Sequence, residues 1–279
     1  MALTPNERPP SARFVRWLAA RTTWVLFGIF LAWFVVWTVI AFVGLDAFVG
    51  SDRQLGLSTV AGSMMGAVGA LFAFVTGFVI ATEWGQHRDA EQTVGKEADA
   101  CVGLAWASAA PHCDGIAIRA ELVAYLHSVL DDDWPELAEG AGGSRDTHER
   151  LTRIQHLVRR IAADPEVPPI VAGDLTSAAD RVAVNRADRC NMAAHDLPAP
   201  LLLLAFLAGV VLVLTAVALA LRLDRADALM IGGVVVVIAL DLALLVGISA
   251  PFTGGLSVHP TPLARVLRDL EAGQYGPVS

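Results

Sequence analysis

Lysine is almost absent from this chain: Lys96 stands alone against nineteen arginines. Charge of either sign is scarce, at 17% of 279 residues, where a soluble domain carries about 25%. The net charge of −8 argues against a nucleic-acid binder. Three cysteines, Cys101, Cys113 and Cys190, are too few and too irregularly spaced for a disulfide framework or a zinc site. Catalytic signatures are missing too. Gly95-Lys96 lacks the upstream glycine and the following Ser or Thr of a phosphate loop. No Gly-x-Ser-x-Gly elbow and no His-Glu-x-x-His pair occurs. We therefore expect no enzyme, no cofactor and no resident metal.

Apolar residues are what the chain has in excess. They make up 55% of it, and the mean hydropathy is +0.55. That is too much to hide in one water-facing core of this size, and too apolar for a disordered chain. A soluble enzyme is excluded on the same ground. The apolar residues fall in four blocks, over 23–43, 57–82, 199–221 and 226–250. Each reaches the roughly 20 residues that a helix needs to cross a bilayer, and each must be helical because hydrocarbon offers the backbone no partners. The first holds Trp24, Trp33 and Trp37; the second is rich in small residues from Gly62 to Gly77. The sequence thus predicts an all-α polytopic membrane protein in the bilayer of a bacterial inner membrane.

Arginines set the orientation. Arg8, Arg13, Arg16 and Arg21 precede span one, and only Arg53 lies between spans one and two. Arg222 and Arg225 between spans three and four weaken the bias without reversing it. The expected organisation is a cytosolic segment 1–22, spans one and two within 23–82, a helical cytosolic domain 83–198, spans three and four within 199–250, and a cytosolic tail 251–279.

Within 83–198 four helical patterns recur, broken at Pro111–Gly115, Gly140–Gly143 and Pro165–Pro169. Spans two and three are expected to run into this domain as continuous helices. Glu97, Arg186 and Arg189 fall on otherwise apolar helix faces. A charge there is costly unless paired. They read either as a buried Glu–Arg bridge or as a charged ring lining a vestibule, whereas Glu121 reads as exposed. Asp131, Asp132 and Asp133 read either as calcium ligands or as a solvated helix end stopped by Pro135. Asp241, inside span four, is a functional candidate by default; the alternative is a hydrogen bond to a neighbouring helix, for instance to Thr215.

A set of spaced residues adds to this reading. They are Gly77-Phe78 and Trp84, Glu97-Ala98, then Tyr125, Val129, an acid, Trp134 and Pro135. Arg186, Arg189, Leu197-Pro198 and Pro251-Phe252-Thr253-Gly254 follow, with Val258 and Pro260. Together they resemble a bacterial membrane family labelled bestrophin-like. That family commonly has Glu before the Trp, where this chain has Asp133. The resemblance to true bestrophins is more distant; those are homopentameric anion channels with a similar layout. It implies a homo-oligomer, a pentamer by analogy, passing small anions, with the second span lining the pore. The implied neck residues are Phe74 and Phe78, with Phe72 or Ala70 beside them. The alternative is a non-conducting scaffold or stress sensor whose cytosolic helices bind a partner. The Arg bias makes a first prediction: reporter fusions after residues 50 and 224 give periplasmic signals, and those after 140 and 279 give cytosolic ones. A periplasmic signal at 140 overturns the topology.

Overall fold

The computed structural model describes residues 21–48, 51–110, 113–140, 142–194, 198–220 and 225–275. Arg8, Arg13, Arg16, Pro111, Leu197 and Arg222 lie outside them. All regular structure among the described residues is helical. The order is α1 (Thr23–Phe48), α2 (Ser51–Ala107), α3 (Gly115–Ser128), a π turn (Val129–Asp133), α4 (Trp134–Ala138), α5 (Arg145–Ala162), α6 (Pro169–Ala193), α7 (Ala199–Leu219), α8 (Arg225–Ile248) and α9 (Thr261–Glu271). Four helices are long and apolar enough to cross a membrane, over Thr23–Gly44, within Val60–Ala107, over Pro200–Leu219 and over Asp227–Ile248.

Two cores divide the molecule. In the apolar one, α1 buries Leu26, Phe30 and Phe34, a four-residue repeat that stacks side chains on one helix face. This face meets α8, which buries Ile231, Val235, Ile238 and Leu242. The other sides of these helices stay apolar and exposed, as at Val36, Val39, Ile40 and Val43. In water such a surface would drive association; in a bilayer it is the expected outer wall. Gly209 of α7 sits at a close crossing. A Cβ there would come within 2.9 Å of Ile238 Cγ2 and 3.3 Å of Phe34 Cζ.

The second core belongs to the polar half of the chain. The lower half of α2 packs against α6, and α3, α5 and α9 complete the bundle. Asp114 caps α3 by accepting from the Ala117 amide at 3.1 Å, and Ser144 caps α5 by accepting from Asp146. α2 runs unbroken for 57 residues, about 85 Å at the α-helical rise, so span two continues into the polar bundle. Span three does not. α6 ends at Ala193 and α7 restarts at Ala199, with Pro198 extended at its N-cap and a proline in its first turn. A proline disfavours helical geometry in the residue before it and has no amide to donate. The segment after span four is partly helical, and α9 lays Leu263, Val266, Leu267 and Leu270 into the polar core. The Gly209 crossing carries a prediction. Gly209→Ala lowers the thermal midpoint in detergent, by about 1–3 kcal/mol of overpacking, whereas Gly232→Ala, with nothing within 4 Å, leaves it in place.

Candidate functional site

Four charged side chains share one dry pocket in the polar bundle. Glu97 comes from α2, Asp133 from the π turn, and Arg186 and Arg189 from α6. Arg189 Nε donates to Glu97 Oε2 at 2.6 Å, and its Nη2 reaches Glu97 Oε1 at 3.2 Å and Asp133 Oδ2 at 2.9 Å. Arg186 grips Asp133 with two bonds, Nε to Oδ2 at 3.1 Å and Nη2 to Oδ1 at 2.9 Å. Tyr125 of α3 donates its hydroxyl to Glu97 Oε1 at 2.6 Å. Two positive and two negative groups thus offset one another, with nearly every polar atom satisfied. The exception is Arg189 Nη1, which is buried without a protein partner. The Arg189 guanidinium also lies 5.5 Å from the Trp134 ring centre, within cation–π range.

Burial alone would lower the pKa of Arg189, but the charge and hydrogen bonds of Glu97, with Tyr125 and Asp133 behind it, raise it well above its ordinary value. Arg186 is held up the same way against burial by Asp133. Burial first, then the Glu97 charge, pushes the Tyr125 phenol well above its ordinary value, so it remains a donor. The cluster has no proton to exchange near neutral pH on these three groups. Its bonds join α2, α3, the π turn, the loop before α5, and α6.

Local structure explains how the residues arrive. Tyr125, Val129, Asp133 and Leu137 are all fully buried. A strict four-residue repeat drifts around an α-helix of 3.6 residues per turn. The wider π turn absorbs part of that drift and keeps Asp133 inward. Asp131 and Asp132 are exposed, so the three carboxylates do not converge as calcium ligands. Nor is this run a solvated helix end: the helix passes through Pro135 to Ala138. Asp133 Oδ1 also accepts from the Ser144 amide at 2.6 Å, and Ser144 O accepts from Arg186 Nη2 at 3.0 Å. Gly143 makes this turn possible. Its φ is +87°, and a Cβ would meet Cys190 Sγ at 2.7 Å. The Pro251-Phe252-Thr253-Gly254 segment closes the outside. Phe252 packs edge-on against Trp134 at 5.6 Å, and Thr253 Oγ1 donates to Ala138 O at 2.9 Å.

The other candidates lie in the apolar bundle, away from this cluster. Phe74 and Phe78 stand 72% and 62% exposed on a free face of α2; they do not pack into the core formed with α1 and α8. Phe72, Thr76 and Val79 take the buried face instead. Phe72 is therefore a core residue beside Gly209, not a neck residue, while Ala70 shares the exposed side. Asp241 is half-buried on α8. Thr215 does not serve it: that hydroxyl donates to Val211 O of its own helix at 2.7 Å. Glu121 is half-buried rather than exposed, with Oε2 buried and unpartnered.

The architecture defines a class: an all-helical membrane protein whose paired apolar spans flank a helical bundle. The chain belongs to the bestrophin-like family, whose domain profile matches residues 32–263. The fold is that of a bacterial bestrophin homologue from Klebsiella pneumoniae. Its crystal structure phased with zinc is 15% identical, with a TM-score of 0.66 over 90% of this chain and 99% of that one. A tryptophan-to-alanine variant of the homologue gives 16% identity and a TM-score of 0.68 over 88% and 96% of the two chains. No curated protein matches the chain.

The buried cluster yields a sharp energetic prediction. Removing one partner of a buried pair costs about 3–5 kcal/mol. Glu97→Ala is therefore expected to lower the unfolding midpoint in denaturant steeply, while Glu166→Ala, on an exposed turn, barely moves it. Equal small effects at both positions would show that the cluster does not hold the bundle.

Proposed function

We propose that the protein is a homo-oligomeric bestrophin-like ion channel of the bacterial inner membrane, passing small anions. In this reading the polar bundle and both termini are cytosolic, and α2 of each copy lines a common axis. The observation that carries the reading is the free face of α2. Its buried face meets α7, α8 and α6 in turn, and the opposite face, with Phe74 and Phe78, stands exposed among the described residues.

The same stripe continues beyond the apolar half. Arg88, Gln92, Lys96 and Asp99 follow Phe74 and Phe78 at helical spacing, and all are exposed. An apolar ring followed by a polar wall suits a channel whose constriction gates by dewetting and opens into a wet vestibule. One chain has no room for a pore of its own, so the axis must come from symmetry, and closed rings are the common form. The choice of anions comes from the family resemblance.

Reconstituted protein is expected to carry chloride flux in liposomes. Phe74→Ala and Phe78→Ala are expected to raise that flux or to remove its gating, because each widens and wets the neck. A monodisperse oligomer without flux, in wild type and in both variants, would support the scaffold reading instead. Flux that both alanine variants leave unchanged would move the neck elsewhere.

A further inference from the structure

Between α2, α7 and α8 the apolar bundle has an open cleft of about 430 Å³, with Leu229, Met230 and Val237 exposed at its mouth. Gly69 and Phe72 of α2, Leu212 of α7, and Met230 and Gly233 of α8 wall it, and Asp241 is the one polar side chain among its described lining residues. This volume falls in the range of about 300–1,000 Å³ typical of small-molecule sites. Asp241 has no hydrogen-bond or ion-pair partner among the described residues; the nearest polar candidate of the sequence analysis, Thr215, is committed to its own helix. In its ionised form, a carboxylate facing an apolar cleft at membrane depth is stable only with a counter-charge.

The walls restrict what can bring it. A divalent metal ion takes about six to eight oxygen ligands, or an octahedral set with waters, and this cavity supplies one carboxylate. An ion with no body of its own would leave the apolar walls unfilled. A ligand that carries its cation on an apolar body satisfies both features. A smaller cavity of about 120 Å³ adjoins toward the start of α8, sharing Met230 and Val234 and reaching Asp227. Asp227 and Asp241 are fourteen residues apart, four turns along nearly one face of α8. The two acids thus line two adjoining apolar clefts along that helix.

We propose that this cleft binds a cationic amphiphile, an alkylammonium-type ligand whose ammonium pairs with Asp241 and whose chain lies along Met230 and Val234. The site is behind α2, on the side opposite Phe74, and is independent of whether the protein conducts.

The test is photolabelling of the full-length protein in lipid nanodiscs with an alkylammonium carrying a mid-chain diazirine, mapped by mass spectrometry. Labelling is expected between Leu229 and Asp241, displaced by dodecylammonium and not by dodecanol. Asp241→Asn, which keeps the shape and loses the charge, is expected to reduce labelling about tenfold, as for loss of a charge-assisted hydrogen bond. The competition between amine and alcohol uses wild-type protein alone, so it holds even if the variant fails to fold. Equal displacement by dodecanol, undiminished labelling of a folded Asp241→Asn, or labelling elsewhere only, as when a neighbouring copy covers the cleft, overturns the proposal.

Discussion

Glu97 and Arg189 meet where no water reaches, and the polar bundle is organised around that contact. Both side chains are fully buried. Neither could sit there alone, because an unpaired charge in such a place costs several kcal/mol. Asp133 and Arg186 extend the pair into a neutral quartet, so segments far apart in sequence must arrive together. The helix α2, the π turn, the loop before α5 and α6 all contribute an atom to it. Gly143 and Ser144 pass close enough that a side chain on Gly143 would collide with Cys190.

The consequence reaches the membrane because α2 is one helix. Glu97 lies nineteen residues after Phe78 and twenty-three after Phe74, about 29 and 35 Å along the axis. Glu97 projects from the side nearly opposite Phe74. Anchoring Glu97 inward therefore turns Phe74 and Phe78 outward, away from α7 and α8. Several of the residues behind the sequence resemblance pack around this anchor. Tyr125 and Trp134 touch Glu97 and Arg189, and Phe252 with Thr253 covers Trp134 and Ala138. The exposed face of α2 in the apolar half is thus oriented by a contact well outside that half.

Periodicity made much of this legible. Apolar blocks exceeding a bilayer's thickness identify the spans, and charges on apolar faces single out Glu97, Arg186 and Arg189. Asp133 was harder to read, since three consecutive acids look solvated and a π turn leaves no composition signal. One clue was present: Tyr125, Val129 and Leu137 leave a gap in their four-residue spacing at Asp133. The spacing of Leu263, Val266, Leu267 and Leu270 likewise announces α9, though two prolines nearby mask it. That Phe74 and Phe78 share a face follows from their spacing. Which face of α2 is free does not, because in an all-apolar helix every side looks alike, and only the partners of Phe72 and Val79 decide it. The same blindness applies to Asp241, whose surroundings depend on which helices meet around it.

In the proposed oligomer the exposed face of α2, turned by the buried cluster, is a water-accessible wall. Single cysteines from Ala70 to Gly85, in a background with Cys113 replaced, can be scored for reaction with a charged thiol reagent in membranes. A reactive stripe is expected at positions 74, 78, 81 and 85, with 72, 76 and 79 inert. Inert cysteines along that stripe, or reaction at 72, 76 and 79 instead, would contradict it.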